Sequence, residues 1–97
     1  MKKRLGHIYL VDDNHDMRFY LSDMLSMLGY TVDHYDNAQS FLDKSSNMSP
    51  AVVLLDMRMP GMDGFQVLER LRGDPATRDL PVIFLTADHE RESLVRA

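Results

Sequence analysis

The stretch VVLLDMRMPGMDG, residues 52–64, decides how the rest of the chain is read. Four consecutive aliphatic residues end in one carboxylate, Asp56, and Pro60, Gly61, Asp63 and Gly64 follow within eight residues. A continuous apolar run bounded by turn residues fits a strand covered on both faces, as in parallel sheets. A carboxylate at the end of such a strand stands at the sheet's carboxyl edge, where open α/β sheets bind ligands.

Working outward, four short apolar runs read as strands: 7–11 (HIYLV), 31–35 (TVDHY), 51–55 (AVVLL) and 81–85 (PVIFL). Run 31–35 alternates apolar and polar residues, which predicts an edge or half-exposed strand. Between the runs the period changes. Met17, Leu21, Met24, Leu25 and Leu28 recur at three and four residues, predicting an amphipathic helix that ends near Gly29 as the C′ residue. Asn37 caps a shorter helix carrying Phe41 and Leu42, and Phe65, Leu68 and Leu71 mark a third, closed by Gly73-Asp74-Pro75. The tail from Asp88, rich in Glu and Arg, starts a fourth helix. The pattern is βαβαβαβα with short connections, and parallel strands need such right-handed crossovers. The expected fold class is α/β, a doubly wound parallel sheet forming one domain over 1–97. Residues 44–50 (KSSNMSP) read as a polar loop.

Ninety-seven residues suffice for a single small core. Hydrophobic and charged shares of 44% and 27% are those of an ordinary soluble globular chain, and the lack of cysteine, of a membrane-length apolar run and of an N-terminal h-region predicts a cytoplasmic protein. A net charge of −4 argues against direct nucleic-acid binding by this segment, because phosphate contacts need clustered Lys and Arg. The basic start, Lys2-Lys3-Arg4, reads as a solubilising N-terminus. The absence of cysteine excludes disulfides, thiolate metal sites and thiol catalysis. No apolar run approaches the ~18 residues of a membrane span.

Three carboxylates fall at strand ends: Asp12 and Asp13 after the first strand and Asp56 after the third. Thr86 ends the fourth. If the first and third strands are neighbours, these residues share one crevice. Clustered carboxylates repel unless a cation or shared protons offset them. Hard oxygen ligands without His or Cys suit Mg²⁺, which takes one or two carboxylates together with phosphate oxygens. A carboxylate beside such a metal is also a nucleophile toward phosphorus, and Asp56 is best placed for that. Each residue alone has a plainer reading: an Asp pair as a helix cap, one Asp as a turn residue, Thr as a strand end. Asn14 supplies the cap by itself, and the convergence of four positions favours a site. His7, His15, His34 and His89 show no ligand spacing. Met57, Met59 and Met62 are expected to pack locally, with partner contact as the alternative.

Together, YLVDDN at 9–14, VVLLDMRMPGMDG at 52–64 and PVIFLTA at 81–87 resemble the receiver domain of two-component response regulators. The resemblance runs in order and spacing from the first strand into the predicted fourth helix. It implies a flavodoxin-like strand order 2-1-3-4. It also implies that Asp56 accepts a phosphoryl group from the phosphohistidine of a sensor histidine kinase. Asp12, Asp13, Asp56 and the Arg58 backbone carbonyl would hold Mg²⁺. Thr86 would hydrogen-bond the phosphoryl group and act as the switch, and the small Ala87 would leave it accessible. Arg58 and Asp88, of opposite charge and two positions beyond Asp56 and Thr86, would control water access. Such a domain is not an enzyme acting on others; it phosphorylates itself and at most dephosphorylates slowly.

The family has five βα units, whereas four are legible here. The fifth would carry a phosphoryl-binding lysine and an aromatic switch residue, and neither Arg91 nor Arg96 takes the lysine's place. The expectation is a C-terminally incomplete receiver whose fourth strand is an exposed edge, open to homodimerisation or strand exchange. Two other functions compete. One is a phosphorylation-independent interaction module on the same fold. The other is a Mg²⁺-dependent phosphohydrolase, disfavoured because Arg58 stands where an Asp-x-Asp acid/base carboxylate is needed.

Overall fold

Where the aliphatic and β-branched runs lie, strands form. The computed structural model describes residues 6–45 and 51–85 and the backbone of 94–96. The elements are β1 (Gly6–Val11), α1 (His15–Met27), β2 (Tyr30–Tyr35), α2 (Ala38–Ser45), β3 (Val52–Asp56), α3 (Gly64–Arg72), β4 (Val82–Leu85) and β5 (Leu94–Arg96). The five strands lie in one sheet of order β2-β1-β3-β4-β5. The first four strands are mutually parallel, with Leu10 opposite Leu54 and Leu54 opposite Ile83.

Side chains alternate between the two faces of the sheet. Tyr9, Val11, Val53, Leu55, Val82 and Phe84 join Phe41 of α2 and Val67 and Leu71 of α3 in one buried cluster. On the opposite face Ile8 and Leu10 are buried under α1. Because α1 lies over β1 and β2, Leu54 and Ile83 on that same face stay half-buried. Val67 and Leu71 form the inward stripe of α3 together with Gly64. Phe65 sits at the margin, 61% exposed, with its ring 5.3 Å from that of Phe84.

The helix ends follow local chemistry. Asn14 caps α1 by accepting from the Met17 N–H at 2.9 Å, and Asn37 caps α2 by accepting from the Ser40 N–H at 2.8 Å. Gly29, at φ 110°, takes the left-handed conformation that ends α1. Beyond α3, the Thr77 hydroxyl donates to the Leu71 carbonyl at 2.8 Å and Arg72 Nη1 donates to the Leu80 carbonyl at 2.8 Å. These bonds fix the loop that leads into β4.

Two expectations about the tail are corrected. Residues 86–93 lie outside the described residues, but 94–96, expected in a fourth helix, form a strand. That strand runs antiparallel to β4, with Phe84 opposite Val95. The fourth strand is therefore internal, and the exposed edge that motivated dimerisation or strand exchange is covered by the chain itself. A parallel return needs a crossover of about a dozen residues or more. Only eight separate Leu85 from Leu94, so the pairing is antiparallel. Arg96 lies in β5, and Arg91 is outside the described residues.

Candidate metal centre

β1 and β3 are adjacent, so their carboxyl ends bring three aspartates together. One carboxylate oxygen from each of Asp12, Asp13 and Asp56 lies within 4.8 Å of the others. Their surroundings differ. Asp12 is 4% exposed, Asp56 is half-buried and Asp13 is exposed.

Asp12 is held at three points. Its N–H donates to the Tyr35 carbonyl on β2 at 3.1 Å, and its Oδ1 accepts from the Asn14 N–H at 2.9 Å. Its carbonyl accepts from Arg18 Nη1 at 2.9 Å. Asp56 is the last residue of β3, and its Oδ1 accepts from the Arg58 N–H at 3.1 Å. Burial pushes the Asp56 carboxyl up to about 7, and the Asp12 charge and carboxyl hydrogen bonds with Asp13 and Asp12 act in the same direction. The Arg58 N–H opposes them by stabilising the ionised form. A cation beside Asp56 would therefore favour its ionised form.

The loop after β3 is built to bring α3 close. Gly61 is left-handed at φ 85°. The Gly64 N–H donates to the Met57 carbonyl at 2.9 Å. A Cβ at Gly64 would stand 3.0 Å from both Met57 Cα and Phe84 Cε1, and 3.2 Å from the Asp56 carbonyl. Only glycine fits without displacement. Asp63 and Gln66 form a reciprocal capping box, each accepting the other's N–H at 2.9 Å, so Asp63 serves α3 and not the acid cluster. Met59 is buried, and Met57 and Met62 lie against the core, as local packing predicts.

Of the residues expected at the site, Asp12, Asp13 and Asp56 come together. Arg58 follows with its N–H on Asp56 and its side chain exposed. Thr86, Ala87, Asp88 and His89 lie outside the described residues. Among the described residues the other histidines form no ligand cluster. His7 Nε2 lies 2.7 Å from Asp33, and His15 and His34 flank the Phe19 ring at 4.4 and 5.7 Å. Arg18 was not anticipated. Its signal in the sequence was a charged residue in the inward stripe it shares with Leu21 and Leu25.

The donor set fits a small hard cation: only carboxylate oxygens, close together, with one carboxyl reluctant to ionise alone. Among the described residues no helix is long and apolar enough to cross a membrane.

Comparison with known proteins agrees with this architecture. The chain is 38% identical over 81 residues to the transcriptional regulatory protein FixJ of Bradyrhizobium diazoefficiens, covering 84% of this chain and 38% of that protein. It is 34% identical over 92 residues to the DNA-binding transcriptional regulator NtrC of Escherichia coli K12, covering 95% of this chain and 19% of that one. The chain therefore spans about two fifths or less of these relatives. The N-terminal domain of a response regulator receiver protein from Methanoculleus marisnigri JR1 superposes with a TM-score of 0.80 at 39% identity, over 84% of this chain and 67% of that one. The response regulator TrrA of Thermotoga maritima, solved with Mg²⁺ and BeF, gives 0.79 at 31% identity over 89% and 73%. A family model for the response regulator receiver domain matches residues 8–97, and the chain belongs to that family of two-component signalling domains.

Proposed function

We propose that this chain accepts a phosphoryl group on Asp56 from the phosphohistidine of a sensor histidine kinase, with Mg²⁺ held by Asp12, Asp13, Asp56 and the Arg58 carbonyl. The observation that carries this reading is the convergence of three carboxylates at the ends of two adjacent parallel strands. An Asp56 oxygen attacks phosphorus, a P–O bond forms, and the P–N bond to the kinase histidine breaks. The bonding electrons return to the imidazole nitrogen. When bound there, Mg²⁺ would neutralise charge on the phosphoryl oxygens, which together with positioning is what phosphoryl transfer requires. The β3 strand holds Asp56 rigidly, and the N–H of Arg58 favours its ionised, nucleophilic form. Thr86 serves as the phosphoryl contact and switch, and Ala87 leaves the group open to its partners.

The acyl phosphate carries roughly −1.5 to −2 charge in place of the roughly −1 of the ionised carboxylate, with new acceptor oxygens, and that change biases a surface read by a downstream partner. We assign that readout to transcriptional control, in line with FixJ and NtrC. The reaction belongs in the cytoplasm, where ATP charges the kinase. Turnover is stoichiometric, with at most slow autodephosphorylation.

The test is to incubate the chain with Mg²⁺ and acetyl phosphate or beryllofluoride and compare it with Asp56→Asn by mass spectrometry and fluorine NMR. One adduct that vanishes in D56N is expected. No adduct would favour a phosphorylation-independent module, and rapid multiple turnover a hydrolase.

A further inference from the structure

Arg18 is the buried residue of α1, a charged side chain only 8% exposed. Its Nη1 donates to the Asp12 carbonyl at 2.9 Å, its Nη2 lies 3.5 Å from His15 Nδ1, and its Cζ stands 5.8 Å from the Phe19 ring centre. Among the described residues no carboxylate lies within ion-pair distance of it. A buried guanidinium without a paired anion is costly unless its charge serves a nearby negative group. The group at hand is the acid cluster whose turn it grips.

The grip has a geometric effect. The Asp12 carbonyl shares one planar peptide unit with the N–H and Cα of Asp13. Fixing that carbonyl fixes the plane from which Asp13 branches, and so restricts the directions in which its side chain leaves the turn. Asp12 is already held by Tyr35 and Asn14, but Asp13 is exposed, so packing does not orient it. We propose that Arg18 is a positioning residue of the metal centre, setting the orientation of Asp13, and so the affinity for Mg²⁺, through the Asp12 carbonyl. This rests on the Mg²⁺ reading of the cluster.

The test is calorimetric and NMR titration with Mg²⁺ alone, on wild type, Arg18→Met, Arg18→Lys and Thr77→Val. The last variant removes a buried hydroxyl from the loop after α3, remote from the cluster, and reports what lost stability alone does. R18M is expected to weaken Mg²⁺ about tenfold, the lower end for loss of an outer-shell contact, and to move the Asp12, Asp13 and Asn14 amides. R18K should recover part of that affinity, and T77V should bind as wild type. Unchanged or tighter Mg²⁺ binding in folded R18M overturns the inference, as does equal weakening in T77V. If R18M fails to fold, R18K carries the test, with affinity about two- to threefold below wild type expected and equality overturning it. A wild type that binds no Mg²⁺ refutes the metal reading as well; one that binds, with R18M unchanged, refutes only the role of Arg18.

Discussion

Asp56 is held where its charge is least welcome. Burial, with the neighbouring acids, raises its carboxyl from an ordinary 3.8 to about 7, so the folded protein keeps this proton when the unfolded chain has lost it. More protons bound in the native state means that stability falls as pH rises. The contribution is fully present below about pH 4 and gone above about pH 7. In the absence of metal, Asp56→Asn should therefore be more stable than wild type at pH 8, by about 1–2 kcal/mol after discounting for solvent at this half-buried group. The gap should shrink toward pH 4.5, and Mg²⁺ should narrow it at pH 8 by stabilising the ionised wild type. Urea unfolding of both proteins at the two pH values measures it, and a pH-independent gap would contradict the assignment. The acid cluster was legible in the sequence because strand ends are marked by where apolar runs stop. Arg18 was not, because a stripe of positions facing inward does not reveal which polar atom waits there.

The β3–α3 loop is the element on which the site depends most. Gly64 lets the first turn of α3 come within contact of Met57, Phe84 and the Asp56 carbonyl. Gly64→Ala must push either the β3 end or the Phe84 ring outward. We expect a stability loss of about 1–3 kcal/mol from overpacking, together with weaker Mg²⁺ binding because the displaced backbone carries Asp56. Thermal unfolding alongside a Mg²⁺ titration reads both, and a G64A protein equal to wild type in each would show that the approach is not strained. The four parallel strands and three helices were readable from periodicity and caps, since Asn14, Asn37 and Asp63 all cap as their residue types predict. What lies over a face was not. The α1 stripe looked inward-facing, yet Met17, Met24 and Leu28 are 47%, 38% and 60% exposed. Periodicity reports which residues share a face, while burial depends on whether another element covers it.

At the scale of the molecule, the sheet is mixed, and its last pairing was invisible in the pattern because a three-residue strand leaves too short a signature. Adjacent residues of an edge strand alternate in whether their N–H points toward the neighbouring strand. Prolines placed in turn at Leu94 and Val95 must therefore remove an inward donor in one of the two variants. That variant should self-associate through β4 with rising concentration, and the other should resemble wild type in sedimentation velocity. Two monomeric variants would mean that the β4–β5 pairing does not protect the sheet. The pairing also bears on the order of events during folding. The parallel contacts join strands separated by whole helices, and such distant contacts are slow to form. β4 and β5 are only eight residues apart, so their loop closes cheaply and early. The strand most prone to stray association is thus shielded by its own neighbour while the chain is still searching for the rest of the sheet.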